Sequence, residues 1–275
     1  MILKPRPFRK PNLGHPRARG FVGYWLMNEG SGNTVADLSG NGNTGTFVGN
    51  TSWVAGKFGS CLYFDGTGDG ISTATITFTT NILTIAGWVN ITGSAAVQIL
   101  WETSDNFNNA DDTLICFFDG TANRLYAGIQ SSISGQKYRM EYISLVENTG
   151  WHHIAVFYDN STITGDIKIY VDGDEQATTI ATSTKESSGV FAAKSLYIGS
   201  RNNGGAGTVL TGSIDGVIIW DREIPASEIA SLYRDPFQMF ERPSIELWSA
   251  ATLGGAPGVS ISVLAHQHAM MAGAL

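Results

Sequence analysis

Two runs between positions 150 and 173 alternate with a period of two, and a chain that does this is building sheet there. In the first run Trp151, His153, Ala155 and Phe157 point one way, and His152, Ile154, Val156 and Tyr158 the other. In the second, Ile167, Ile169 and Val171 line one face while Lys168, Tyr170 and Asp172 line the opposite one. β-Branched and aromatic residues fill both runs, and polar residues with a glycine separate them at 160–165. The pattern predicts two antiparallel strands joined by a loop of several residues. Asp172-Gly173 then supplies a positive-φ turn into a further strand.

The same signals recur along the chain on a smaller scale. Apolar or alternating runs lie at 24–26, around Trp53, and at 62–65, 71–78, 84–89, 97–101, 114–118, 124–130 and 138–145. With turn residues between them, they predict roughly 12–14 short strands, the spacing of an all-β sandwich. Thirty-three glycines and only 15% charged residues suit so many turns. A length of 275 residues suits one large domain with a substantial core. One helix is predicted at 225–233, where Ile229, Leu232 and Tyr233 share a face. Pro225 fits its first position and Asp235-Pro236 stops it. No apolar run approaches the ~18 residues that span a bilayer, and no apolar core follows Lys4 to make a signal peptide.

Charge divides the chain. Six of its 17 basic residues (Lys4, Arg6, Arg9, Lys10, Arg17 and Arg19) fall in the first 19 positions, whereas all 24 acids come later. The acidic body argues against nucleic acid as a partner, because neutralising phosphates takes clustered cations. Four of the eight prolines stand in the same basic segment, which predicts an extended arm over 1–19 that packs no core of its own. Two readings of the arm stay open, a solvated leader and a contact with a neighbour. At the other end, residues 247–275 carry no charge and are rich in Ala and Gly. Such a tail is poorly solvated and calls for a surface to dock on. Lys4, Arg6, Arg9 and Lys10 on the arm, with Phe237, Phe240 and Trp248 beyond the helix, are therefore the candidate assembly contacts. Cys61 and Cys116 are too few for a disulfide framework and read as buried thiols, with a single bridge the alternative.

Several ordered blocks carry a family resemblance. The stretch 150–159 followed by Ile169-Tyr170-Val171-Asp172-Gly173 is similar to the central hairpin of laminin-G-like domains, within the concanavalin A-like lectin/glucanase jelly rolls. Gly23-Tyr24-Trp25-Leu26 with 29–32, the Gly/Asn loop 37–46, Leu62-Tyr63-Phe64-Asp65-Gly66, 83–89, 196–199, and 212–217 through 229–233 resemble further elements in the family's order. The resemblance spans roughly residues 20–234. It implies an antiparallel two-sheet jelly-roll sandwich at 20–234 with one short C-terminal helix, flanked by the arm at 1–19 and the tail at 235–275. It also implies a structural Ca²⁺ where the Gly/Asn loop meets the closing strand, held by Asp37, Asn41, Asn43 and Asp215. The alternative for these residues is Asx turns and backbone capping. Asp65 and Asp69 are a weaker second pair.

Catalytic chemistry is hard to find. Glycosidases need two carboxylates about 5–9.5 Å apart across the scissile bond. Those sharing this jelly roll place them as Glu-x-Asp-x-Glu on one strand face, a spacing this sequence lacks. His152 and His153 are adjacent and face opposite sides, so they cannot hold one metal together. Residues 40–45 fit Gly-x-Gly-x-x-Gly, but no helix pattern follows as a dinucleotide site requires. No catalytic residue is assigned. A glycan site needs an aromatic platform beside amides and acids, for which Trp101, Asn106, Asn108, Asp111 and Asn202 are the candidates. The expectation is a non-enzymatic module of a larger, homo-oligomeric assembly. Flanking segments of this sort resemble those of tailed-bacteriophage capsid decoration or tail-associated proteins, which would place the chain in a virion. The alternative is a lectin or adhesin, extracellular or at a cell surface. No membrane partner is expected.

Overall fold

The computed structural model describes residues 3–7, 9–95, 97–103, 107, 111–132, 137–145, 147–201 and 208–240, all within the compact unit 1–242. Trp248 and the rest of the predicted tail beyond residue 240 lie outside the described residues. In chain order the strands begin with β1 (Phe21–Trp25), β2 (Thr34–Val35), β3 (Gly45–Val48), β4 (Ser52–Ala55), β5 (Ser60–Asp65) and β6 (Gly70–Ile76). Then come β7 (Ile82–Ile91), β8 (Gln98–Glu102), β9 (Thr113–Asp119), β10 (Arg124–Ser132), β11 (Lys137–Ser144) and β12 (Trp151–Asp159). The set closes with β13 (Asp166–Val171), β14 (Asp174–Gln176), β15 (Thr179–Ser183), β16 (Lys194–Ile198) and β17 (Thr211–Trp220). β2, β3 and β15 go beyond the sequence expectation, being too short or too rich in hydroxyls to show an apolar alternation.

The strands form two antiparallel sheets. The eight-stranded sheet runs β14-β13-β12-β7-β17-β5-β4, with β1 also paired to β17, and the nine-stranded sheet runs β15-β11-β10-β9-β8-β16-β6-β3-β2. The predicted hairpin is β12–β13, in register from Ile154↔Val171 to Asp159↔Asp166. Its alternation sends Ile154, Val156, Tyr158, Ile167 and Ile169 into the core between the sheets. Ala155 and Tyr170, on the opposite face, join a second apolar cluster. Trp101 and Tyr158 cross-link the layers: the indole N–H of Trp101 on β8 donates to the Tyr158 hydroxyl at 3.0 Å, which donates to the Ile115 carbonyl on β9 at 3.1 Å. A buried polar group needs such a partner. Cys61 and Cys116 are free and buried, so the bridge alternative is not realised.

The helix α1 (Ala226–Arg234) starts one residue later than expected, with Pro225 as its N-cap in extended geometry (ψ 150°). Its Ile229 and Leu232 are buried, and Tyr233 stacks on Trp88 with centroids 5.4 Å apart. Together with Met239 and Phe240 this helix covers the outer face of the eight-stranded sheet. The arm also lies on its own body rather than standing extended. A 3-10 turn at Pro16–Ala18 forms in it. The Asn12 N–H donates to the Met239 carbonyl at 2.7 Å, Arg9 to the Phe240 carbonyl at 2.9 Å, and the Trp220 indole N–H to the Arg17 carbonyl at 2.8 Å.

Candidate functional site

One outer face of the sandwich is roofed by α1 and the arm. The outer face of the nine-stranded sheet carries much less cover. Inward residues of β9 and β10 (Leu114, Cys116, Phe118, Leu125, Ala127 and Ile129) belong to the core, so Phe117, Asp119, Arg124 and Tyr126 point out. Register then brings three rings into a row across the strands, because Tyr126 stands opposite both Phe117 on β9 and Tyr142 on β11. Phe117 and Tyr126 stack with centroids 4.9 Å apart at 6°, and Tyr126 and Tyr142 lie 5.2 Å apart at 42°. All three are half-buried. Arg124 braces them, its guanidinium 4.2 Å above the Tyr142 ring and donating to the Tyr126 hydroxyl at 3.4 Å. Asp119, opposite Arg124 in the ladder, takes the Thr121 N–H and hydroxyl and the Ala122 N–H, which closes the β9–β10 turn beside the rings.

The residues expected to bind sugar are placed differently. Trp101 is fully buried in the inter-sheet core, so its ring offers no platform. Asp111 is exposed just before β9, and Asn106, Asn108 and Asn202 lie outside the described residues. Phe107, between them in sequence, packs edge-on against Tyr138 at 6.1 Å and joins a small apolar cluster with Ile99 and Ile115. That cluster covers one end of the sheet face and packs against Phe117, so the Phe117–Tyr126–Tyr142 row runs outward from its edge.

The expected calcium ligands are split. Asp37, Asn41 and Asn43 do come together, but as a turn. Oδ1 of Asp37 accepts the N–H groups of Tyr24 (3.0 Å) and Ser39 (2.9 Å), and Oδ2 accepts the Ser39 hydroxyl and the Asn43 N–H, each at 2.8 Å. The side-chain amides of Asn41 and Asn43 donate to the Val22 carbonyl. Asp215 stands apart from them, paired with the Lys4 ammonium, and its other oxygen accepts the Phe58 N–H at 3.1 Å. The Asp37 oxygens thus take four hydrogen bonds, and a cation already neutralises Asp215, so this residue set does not fit a shared Ca²⁺. Among the described residues, no group of three or more His, Cys, Asp and Glu side chains could hold a metal. Asp69 is buried and accepts the Asn50 and Asp65 N–H groups, as a turn residue does.

Of the candidate assembly contacts, Lys4, Arg9, Phe237 and Phe240 are used within the chain. Phe237 packs edge-on to Phe58 at 5.2 Å, and Phe240 meets Tyr24 at 5.8 Å. Arg6 and Lys10 are exposed. A cavity of about 30 Å³ under α1, lined among others by Trp88, His153 and Leu232, has room for a water and no more. His153 Nδ1 has no hydrogen-bond partner, and burial pulls this imidazole down from its ordinary 6.5 to about 4, against the opposing pull of Asp172.

The fold and its outer face define a class. A laminin-G-like family model, described as the concanavalin A-like lectin/glucanases superfamily, matches residues 65–230. The chain belongs to that family. No curated protein matches it. Similar solved structures include the binding domain of Paraclostridial Mosquitocidal Protein 1, at 16% identity and TM-score 0.60 over 80% of this chain and 53% of that one. The botulinum neurotoxin serotype G binding domain is similar at 15% identity and TM-score 0.58, over 78% of this chain and 50% of that one. The binding domain of botulinum neurotoxin DC, in complex with SialylT, is similar at 13% identity and TM-score 0.59, over 79% and 52%. This chain spans about half of each, and the likeness is one of fold.

Proposed function

We propose that the chain is a non-enzymatic binding module that takes a glycan on the outer face of its nine-stranded sheet. The observation that carries this is the Phe117–Tyr126–Tyr142 row with Arg124 beside it. Half-exposed rings in a row give the C–H faces of pyranose rings an apolar floor, while guanidinium N–H groups and carboxylate oxygens at its edge pair with hydroxyls. The buried glutamates of this sheet support the absence of catalysis. Glu102 pairs with Arg201 at 2.8 Å and Glu141 with Arg139, and both carboxylates are buried away from a substrate. The binding domain of botulinum neurotoxin DC, about half of which this chain spans, is a complex with SialylT, which makes a glycan the first ligand class to try. The test is a glycan array on the wild-type protein, followed by titration of the best ligand into Tyr126→Ala and Tyr142→Ala. Binding that falls tenfold or more with unchanged melting supports the reading. Failure to bind any glycan, or full binding by both variants, refutes it.

Membership of a larger assembly is the second reading, with a bacteriophage capsid decoration or tail-associated protein as its specific form. Leu3, Arg6, Lys10 and Leu13 favour it, since they leave an exposed apolar and basic strip on the arm. Light scattering decides between oligomer and monomer, and a monomer whose mass is unchanged by Arg6→Glu/Lys10→Glu sinks self-assembly through that strip.

A further inference from the structure

We propose that Lys4 is a built-in cation, holding at Asp215 the place that a metal ion would otherwise take, so that the domain clasps its first and last strands without Ca²⁺. The need comes first. Asp215, on β17, has a side chain with no exposure at all, and a carboxylate taken out of water requires a counter-charge. The Lys4 side chain, itself 5% exposed, delivers one. Its ammonium donates to the Met27 carbonyl at 2.8 Å and to the Ser60 carbonyl at 2.6 Å, and it pairs with Oδ1 of Asp215. Two carbonyls accept its N–H bonds, and the carboxylate meets its charge.

The surroundings are arranged for a cation. Two backbone carbonyls and a carboxylate are the hard oxygen set that alkaline-earth ions choose. Met27 holds its place with φ at 54°, left-handed backbone that a long unbranched side chain adopts only when its surroundings demand it. Gly56 leaves room for the carboxylate, since a Cβ there would lie 2.6 Å from Asp215 Oδ2. Backbone bonds place the lysine independently of its charge. The Lys4 N–H donates to the Phe58 carbonyl at 3.1 Å, and Asn28 donates its amide to the Pro5 carbonyl at 2.7 Å. Four segments far apart in sequence, residues 4, 27, 60 and 215, meet on this one charge. The turn built on Asp37 contributes nothing to it.

The test needs the full-length chain, Lys4→Ala, Ca²⁺ and EDTA. Wild-type melting is expected to be the same in either additive, and calorimetric titration should find no Ca²⁺ bound. Lys4→Ala should melt lower by roughly 6–20 °C, the range expected for stripping one partner from a buried pair in a domain this size. Its open oxygen set should then take one Ca²⁺ and recover part of the loss. If Lys4→Ala does not fold without metal, recovery of folding in Ca²⁺ but not in EDTA supports the proposal, and failure in both overturns it. A wild-type melt that rises with Ca²⁺ or falls with EDTA overturns it. So does a Lys4→Ala melt equal to wild type, or a loss that Ca²⁺ leaves untouched.

Discussion

Tyr158→Phe removes one oxygen atom from the middle of the sandwich, and its cost can be worked out from the partners it abandons. The hydroxyl accepts from the Trp101 indole and donates to the Ile115 carbonyl. Burial pushes this phenol well above its ordinary value, so it stays protonated throughout. Without it the Trp101 N–H, on a fully buried side chain, has no water to turn to. The Ile115 carbonyl is better placed, because a carbonyl has a second lone pair and β9 lies between two strands. Most of the penalty therefore falls on one donor, about 1–3 kcal/mol, and phenylalanine leaves little cavity to add to it. For a domain of this size that lowers the melting midpoint by roughly 2–12 °C. Urea unfolding of wild type, Tyr158→Phe, Trp101→Phe and the double variant isolates the term. In the Trp101→Phe background, Tyr158→Phe should cost at least ~1 kcal/mol less than in wild type. Equal costs in both backgrounds would refute the cross-link as a stabilising contact.

Two further expectations concern buried titratable groups. His153 titrates near 4 in the folded chain against an ordinary value of 6.5. Between these pH values the unfolded chain holds the proton and the folded one does not. Stability is thus fully present above about pH 6.5 and is lost on acidification towards pH 4, by about 3 kcal/mol. His153→Phe should flatten that part of the stability–pH curve, and an unchanged slope would exclude His153 as its source. Burial also raises the Cys61 thiol to about 12 and the Cys116 thiol well above its ordinary value. A thiol reagent at pH 8 should label neither in the native protein and both once it is unfolded. Rapid native labelling of either contradicts its burial.

The framework was readable because it is periodic. In β12, Ile154, Val156 and Tyr158 fall on one face by counting alone, and the structure puts all three in the core. Trp101 shows where counting fails. Strict alternation sets it opposite Leu100, yet β8 has an irregularity between Ile99 and Trp101, and both Leu100 and Trp101 enter the core. A one-residue slip exchanges the faces of a strand, and nothing in the local sequence marks it. The aromatic row was hidden for another reason. Phe117, Tyr126 and Tyr142 lie on three strands, and only the ladder register makes them neighbours. In the sequence Lys4 is a candidate contact for a neighbouring subunit, because a charge count has no access to a carboxylate of its own chain, on β17.

The position of β17 has a consequence for synthesis. This strand, completed only at Trp220, lies between β7 and β5 and also pairs with β1. Until it leaves the ribosome, three long-finished strands present bare edges with nothing to bond to. At typical elongation rates the wait between β5 and β17 is roughly 7–30 s, long enough for such edges to find other chains. A nascent chain of this design should therefore depend on holding factors until its last strand arrives, and should release them almost at once when it does.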